Sequence, residues 1–257
     1  MTTLRILSFL ILLLSCIGMF SQTSSENYIL TRTFTSADSF AWRDRIVYYD
    51  GLGREEQAVL VGASPSGGDI VTLKEYDGYG RLEKTWNGAA VSGNSGGHVD
   101  VSTLKGLAVQ SNGNDSNPYS LTVYEPSPLE RPLQQYGAGA DWHQHGRSVR
   151  TDYHTNVVGD SRLGCIRFTA TQSGSSACVT VTNNGSYATG MLTVLQSTGE
   201  DGDVSYEFRD LNDQVVLSRR ILDGRILDTY YIRDEWGNVM AVLPPLASVR
   251  MTSSGVS

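Results

Sequence analysis

An aspartate and two histidines stand close enough along the chain to suggest a metal site. They lie in Asp141-Trp142-His143-Gln144-His145, where alternate side chains would share one face of an extended strand. A zinc site needs three or four converging ligands, and nothing in the spacing brings His98 or His154 to complete the set. A half-exposed strand of polar and aromatic residues is therefore the favoured interpretation. We expect no metal and no cofactor.

Two other short motifs have the residue types of an active or ion-binding site. Gly93-Asn94-Ser95-Gly96-Gly97 matches a nucleophile pattern that works only on a sharp turn from a strand into a helix. Residues 87–92 before it are mostly small and polar, which predicts a surface loop instead. Asp201-Gly202-Asp203 is too short for an EF-hand calcium loop and is more typical of a turn. We therefore predict no catalytic residue and a protein that is not an enzyme.

The cysteines leave two interpretations open. Cys16 falls in an apolar amino-terminal stretch, and Cys165 and Cys178 would remain once that stretch is removed. Two cysteines in an oxidising compartment can form a disulfide, so a bond between Cys165 and Cys178 is one interpretation. The other is that both are small buried hydrophobic residues.

The amino terminus has the layout of a secretory signal peptide. Arg5 is the one charged residue among residues 1–21, residues 6–20 are almost wholly apolar, and Ser21-Gln22-Thr23 turns polar. The apolar run is short for a membrane span, which needs about 20 residues. Leu13-Leu14-Ser15-Cys16 partly resembles a lipoprotein cleavage site, but Leu14 is bulky for its place. We expect residues 1–21 to be cleaved and the protein to be secreted or associated with the cell surface or outer membrane.

Composition narrows the class of partner. The formal net charge is −7, and no basic stripe is available to neutralise phosphates, which argues against nucleic acid. Polybasic attachment to a membrane is disfavoured for the same reason, so we expect membrane contact during export alone. Twenty-seven glycines suit a β protein with many turns.

A short unit that favours a tight turn recurs along the chain. It stands as Tyr48-Tyr49-Asp50-Gly51-Leu52-Gly53-Arg54 and again as Tyr76-Asp77-Gly78-Tyr79-Gly80-Arg81. Looser copies lie at residues 124–131, 208–214 and 231–238, the last with Asp234, Gly237 and Asn238 in matching places. Near-identical copies in order indicate an internal repeat.

The spacing within the unit explains the residue types. An aspartate at the first turn position accepts the backbone N–H two residues later. A glycine three residues after the aspartate suits the left-handed position of a bulged turn, and Gly53, Gly80 and Gly237 stand there. Tyr49 before the turn and Arg54 after it would lie on neighbouring strands, where the guanidinium could cover the ring.

The unit carries a family resemblance. Tyr-Asp-x-x-Gly-Arg is the signature of YD repeats, as found in RHS-type proteins, teneurins and the shell subunits of some insecticidal toxins. Residues 48–59, 76–86, 124–142 and 230–245 together resemble the amino-terminal region of large RHS-like surface proteins of Bacteroidetes. That region is known as a domain of unknown function. In this family the repeats wind into a β shell that can enclose a carboxy-terminal toxic or effector domain.

Together these features predict an all-β fold of hairpins, with one short helix near residues 100–111. Asp100 or Ser102 would cap the helix, and Leu104 and Ala108 would share its apolar face. We expect a YD-repeat β module at residues 22–145, an inserted β segment at 146–200, further YD-like hairpins at 201–245 and a disordered tail at 246–257.

The resemblance implies a function that is structural. We expect a non-catalytic exported module that begins an RHS/YD-repeat protein, as a truncated or split product without the core and effector regions. Its partner would be a downstream RHS-repeat protein or a second copy that pairs with an exposed β edge. The alternative is a surface module for a glycan or a protein, because 13 Tyr and 4 Trp could supply stacking platforms. These aromatic residues lie mainly at repeat positions, which favours the structural role.

Overall fold

Two compact units make up the part of the chain that the computed structural model describes, which is residues 25–35, 41–172 and 178–253. The first unit runs to Thr122 and includes Gly137–His145, and the second comprises Val123–Tyr136 and the residues from Gly146 onward. The predicted signal peptide, residues 1–21, lies outside the described residues, as do residues 254–257. No described helix is long and apolar enough to cross a membrane.

The first unit is an antiparallel sheet in which each strand pairs with the next along the chain. Its strands are β1 (Asn27–Phe34), β2 (Trp42–Tyr49), β3 (Glu55–Leu60), β4 (Asp69–Tyr76), β5 (Leu82–Val91) and β6 (Tyr119–Tyr124), of which β6 belongs to this unit as far as Thr122. Short turns suffice to join antiparallel neighbours, as at Asp50 and Asp77, whereas residues 92–118, which contain a helix, join β5 to β6. The predicted all-β class is confirmed.

One face of this sheet carries the core, and a helix covers it. Ile46 and Tyr48 on β2 and Val71 and Leu73 on β4 stand two residues apart and so share that face, where they and Val59 are almost completely inaccessible. Helix α1 (Val101–Ser111) buries Leu104 and Ala108 against them. This confirms the predicted helix.

Asp100 caps α1 at its amino terminus. Its carboxylate accepts the backbone N–H of Thr103 and the hydroxyl of Ser102, and these hydrogen bonds lower the pKa of Asp100 to about 2. The helix therefore begins where the sequence supplies an N-cap.

Buried polar groups hold the loop before α1 against the sheet. Gln57 is fully buried, donating its amide to the carbonyl of Val99 at 2.6 Å and accepting the N–H of Val99 at 3.1 Å. The buried Asp69 carboxylate accepts the N–H of Gly96 at 2.7 Å, and the Tyr48 hydroxyl donates to the carbonyl of Gly96. The irregular backbone is thus paired by side chains, as a buried backbone must be.

The second unit contains a larger antiparallel sheet. Its strands, in spatial order, are β7 (Pro132–Tyr136), β8 (Val149–Thr155), β11 (Thr193–Thr198), β12 (Val204–Arg209), β13 (Val215–Leu222), β14 (Arg225–Arg233) and β15 (Val239–Leu243). A separate hairpin consists of β9 (Ile166–Gln172) and β10 (Val179–Ser186). Within the predicted insert at residues 146–200, β9 and β10 form this separate hairpin, whereas β8 and β11 belong to the main sheet.

The β9–β10 hairpin packs on the sheet through an aromatic contact, and a buried arginine of the sheet holds the loop before it. Phe168 meets the ring of Tyr230 edge-on, with centroids 4.8 Å apart. Arg219 is 5 % exposed and forms a bidentate ion pair with Asp228, while its Nη1 donates to the carbonyls of Arg162 and Gly164 just before β9. One buried guanidinium therefore fixes the loop that precedes the hairpin.

Two predictions outside the sheets are wrong. The residues expected to form a half-exposed strand instead form a one-turn helix, α2 (Ala140–Gln144), because the distant Asp115 carboxylate accepts the N–H of Ala140 at 2.9 Å. The expected disordered tail forms α3 (Pro245–Ser253), which begins at a proline, a residue suited to a first helical turn. Ser248 of α3 donates to the carbonyl of Asp228 at 3.0 Å, and Met251 packs on the core.

Cys165 and Cys178 do not form a disulfide in the structure. Cys165 directly precedes β9, and Cys178 directly precedes β10, whose first residue pairs with the last residue of β9. The two cysteines therefore lie at opposite ends of the hairpin, roughly 23 Å apart at the usual rise per strand residue, far beyond disulfide reach. Cys165 is instead a buried thiol, and burial raises its pKa to about 12.

We predict that Gln57→Leu destabilises the protein by about 2 kcal/mol or more, because it leaves the N–H and carbonyl of Val99 without partners. Chemical denaturation measures the free energy of unfolding. The control Gln135→Leu changes an exposed residue of β7 and should stay within about 0.5 kcal/mol of the wild type. Equal stability of the two variants would contradict this role of Gln57.

Candidate functional site

The Asp50 turn closes by two backbone hydrogen bonds. The carbonyl of Asp50 accepts the N–H of Gly53 at 3.0 Å, and the N–H of Asp50 donates to the carbonyl of Arg54 at 2.9 Å. The pairing between β2 and β3 shifts register at Tyr49, so the turn ends in a bulge. Tyr49 itself is half-buried, opposite Glu55.

The Asp50 carboxylate holds this turn from inside. Its Oδ1 atom accepts the backbone N–H groups of Leu52 and Arg54, both at 2.9 Å. Its Oδ2 atom accepts Nε of Arg54 at 2.7 Å. One side chain therefore pairs two backbone donors and one guanidinium within five residues of chain.

The Asp77 turn repeats every one of these bonds. Asp77 Oδ1 accepts the N–H groups of Tyr79 and Arg81, and Oδ2 accepts Nε of Arg81 at 2.7 Å. In Asp50 the backbone N–H of Arg54 is the main cause of a lowered pKa. In Asp77 burial opposes ionisation, but the backbone and side-chain hydrogen bonds from Arg81 outweigh it and lower the pKa.

The Asp234 turn uses the same geometry with a different partner. Asp234 Oδ1 accepts the N–H groups of Trp236 and Asn238, and Oδ2 accepts Nδ2 of Asn238 at 2.9 Å. The pKa of Asp234 is lowered, chiefly by the side chain of Asn238. The neutral amide of Asn238 therefore donates to the turn carboxylate as the charged guanidinium groups of Arg54 and Arg81 do.

Asp210 forms a fourth turn of this kind, one of the looser copies in the sequence. Its Oδ1 atom accepts the N–H groups of Asn212 and Gln214, and its carbonyl accepts the N–H of Asp213. Gln214 stands at the position of Arg54. The backbone geometry thus survives the loss of both the glycine and the arginine.

A left-handed residue stands at the same place in each turn. The φ angles are 77° at Gly53, 87° at Gly80, 89° at Gly237 and 60° at Asp213. Glu130, with φ 54°, takes this place in the longer loop from Glu125 to Arg131. These positive φ values favour glycine, and aspartate or glutamate adopts them at a cost.

Two of these glycines contact the side chain that ends the preceding aspartate turn of the same unit. Arg54, at the end of the Asp50 turn, contacts Gly80, and Gln214, at the end of the Asp210 turn, contacts Gly237. A Cβ atom on Gly80 would lie 3.0 Å from Nη1 of Arg54, and one on Gly237 would lie 2.5 Å from Nε2 of Gln214. By contrast, a Cβ atom on Gly53 would meet no atom within 4 Å. Gly80 and Gly237 therefore have a packing role besides their backbone conformation.

Arginine covers the tyrosine of the following turn. The guanidinium carbon of Arg54 lies 4.3 Å from the ring centroid of Tyr76, whereas the sequence suggested that it covers Tyr49. The Tyr76 hydroxyl donates to the carbonyl of Glu55, the residue after Arg54, at 2.8 Å. Stacking and hydrogen bond together tie one turn to the next.

The second unit contains the same arrangement, which the sequence interpretation missed. Arg131 pairs bidentately with Glu125 and covers the ring of Tyr153 at 4.5 Å. The Tyr153 hydroxyl donates to the carbonyl of Pro132, the residue after Arg131. Both hydroxyl bonds span 21 residues, so the equal spacing was a signal in the sequence.

The two histidines of the Asp141–His145 motif contact backbone carbonyls, whereas Ser95 and Asp201 lie in loops. His143 Nε2 lies 3.1 Å from the carbonyl of Gly137, and His145 Nδ1 lies 2.9 Å from the carbonyl of Asp141. Ser95 is exposed in the loop before α1, not on a turn from a strand into a helix. Asp201 lies in the turn that links β11 to β12. Within the described ranges, no three His, Cys, Asp or Glu side chains converge as metal ligands.

Comparison with known families gives one match. The profile of DUF6443, a domain of unknown function, matches residues 22–155, just over half of the chain, and this range ends with β8. A comparison with curated proteins finds no match.

We predict that Asp77→Asn lowers stability at neutral pH and flattens its dependence on pH. Because the folded protein lowers the pKa of Asp77, the carboxylate stabilises the fold above its ordinary pKa of 3.8, and this contribution is lost as pH falls further. Denaturation at pH 7 and pH 3 measures both effects. Asp201→Asn, at an exposed turn residue, is the control. An unchanged acid dependence in Asp77→Asn would contradict the assignment.

We also predict that Gly80→Ala destabilises the protein more than Gly53→Ala. Both substitutions place a side chain at positive φ, at a cost of about 1 kcal/mol, but only the one at Gly80 also displaces Arg54 from the next turn. Thermal or chemical unfolding of the matched pair tests the contact. Equal losses would mean that Arg54 moves freely aside.

Proposed function

Because the chain belongs to the DUF6443 family, we propose that it is an exported, non-catalytic structural module that begins an RHS/YD-repeat protein at the cell surface or outside the cell. Downstream repeats would continue its sheets. The observation that carries this proposal is the repeated tie between successive turns.

This contact between successive turns could join further hairpins to the sheet in the same way. An arginine covers the ring of Tyr76 in the first unit, and another covers the ring of Tyr153 in the second. In both units the tyrosine hydroxyl donates to a backbone carbonyl 21 residues earlier in the chain. The Asp50 turn closes by contacts within five residues, and the Glu125 loop closes by contacts within seven; the tie then positions the next strand. A shell built from such hairpins needs no element of another kind, which suits a repeat protein.

The sheets also have edge strands that could pair with a further strand. Among the described residues, β1 pairs with β2 alone, and β15 pairs with β14 alone. Helix α3 packs its Ala247 and Met251 on the core, and Val239 and Val242 of β15 are about half exposed. An edge strand presents unpaired N–H and C=O groups to another chain. A further RHS repeat strand or a second copy of this chain is the partner we propose.

We predict that the purified protein associates with itself as its concentration rises and that Val242→Lys weakens this association. Val242 is 48 % exposed on β15, where a lysine charge would oppose edge pairing. Sedimentation velocity across a concentration series measures the effect. Leu211→Lys, at an 86 % exposed turn residue away from that edge, is the control.

A stable monomer at every concentration, with the amides of β15 as protected from hydrogen exchange as those of β2, would contradict edge pairing. Equal weakening by Val242→Lys and Leu211→Lys would point to a general charge effect instead.

A further inference from the structure

The second unit has a polar cavity between two of its turns. Its volume is about 440 Å³, and its walls include Tyr187, Asp210, Gln214, Arg233, Asp234 and Trp236. We propose that this cavity binds a neutral, hydroxyl-rich carbohydrate. This activity goes beyond the structural role and does not depend on it.

Arg233 supplies the first reason. Its Nε atom is buried and has no hydrogen-bond partner among the described residues, although its Nη1 atom donates to the carbonyl of Gly237 at 3.1 Å. Buried donors in folded proteins are almost always paired, so an unpaired one requires an explanation. Arg233 lines the cavity, so a rotation of its side chain would present this N–H to a ligand oxygen there.

Charge selects the kind of oxygen. Asp210, Asp234 and Glu235 line the same cavity, so carboxylates outnumber the single guanidinium and disfavour an anion. A cationic group offers donors alone and would leave Nε of Arg233 without a partner. A neutral hydroxyl both donates and accepts, and therefore matches a wall that contains both kinds of group.

The other polar groups of the wall are placed to share such hydroxyls. Asp210 uses its Oδ1 atom for the turn, and no donor from the described part of the chain contacts its Oδ2 atom. Gln214 offers an amide donor and an amide acceptor. Tyr187 offers a hydroxyl that can both donate and accept.

Trp236 supplies an apolar surface at the rim. Its indole is 69 % exposed, and a flat aromatic face with one polar N–H suits the apolar face of a sugar ring. Tyr79 holds the same place in the Asp77 turn and is 83 % exposed, but Tyr76 stands there where the Asp234 turn has Arg233. The combination of an aromatic rim and an unpaired donor is therefore a feature of the Asp234 turn.

The test is a titration of the purified protein with maltose, cellobiose and lactose, followed by the ¹H–¹⁵N NMR signals of Arg233 Nε–H and Trp236 Nε1–H. We expect at least one of these sugars to shift both signals in a saturable way. Glucuronic acid, which carries a negative charge, should bind more weakly.

Matched variants assign the site. Trp236→Ala, at an exposed position that leaves the fold intact, should weaken binding roughly tenfold, whereas Tyr79→Ala should leave it unchanged. Arg233→Lys keeps the charge but lacks Nε–H, and it should also weaken binding, with its melting temperature reporting whether it is folded. If it unfolds, Trp236→Ala decides alone.

Three results would overturn the proposal. They are the absence of a saturable shift with every neutral sugar, equal affinity in Trp236→Ala and the wild type, and tighter binding of glucuronic acid than of the neutral sugars. None of them bears on edge pairing, which sedimentation measures.

Discussion

The structure depends on hydrogen bonds from backbone N–H groups of a turn to the carboxylate of the aspartate that begins it. In Asp50, Asp77 and Asp234, one side chain accepts two backbone N–H groups and one side-chain donor from the residue that follows the turn. These N–H groups point into the turn and would otherwise need water. The turn is complete within five residues, so each hairpin forms from local sequence and the sheet grows by repetition.

What joins one hairpin to the next is a different set of contacts. Arg54 neutralises Asp50 with one edge of its guanidinium and covers Tyr76 with its face. Arg131 likewise forms an ion pair with Glu125 and covers the ring of Tyr153. A planar, permanently charged group can make both contacts at once, which lysine cannot. The arginine therefore couples a local turn to a neighbour more than twenty residues away.

Buried polar side chains then fix the segments that have no regular structure. Gln57 and Asp69 bind the loop before α1, and Arg219 binds the loop before β9, each through several hydrogen bonds. Such groups stabilise a fold when they are satisfied and cost free energy when they are not. Arg233 departs from this pattern because its Nε atom is buried without a partner, and that departure is what marks the cavity beside it.

The sequence by itself determined the features that local chemistry controls. The Asp-x-x-Gly spacing placed the turns, the alternation between them indicated antiparallel β strands, and Asp100 with Leu104 and Ala108 located α1. A glycine at a left-handed position and an aspartate that accepts an N–H two residues later both act within a single turn. Neighbouring residues therefore determine where the turns lie, and the turns can be located without knowing the fold.

Tertiary structure decided whatever rests on residues far apart in the chain. Helix α2 forms because Asp115 reaches Ala140, and α3 docks through Ser248 and Met251 on a core that the tail sequence does not contain. Cys165 and Cys178 are separated by the length of a hairpin whose register the sequence leaves open. Arg54 covers Tyr76 because strand pairing, which is a long-range choice, brings the next turn alongside.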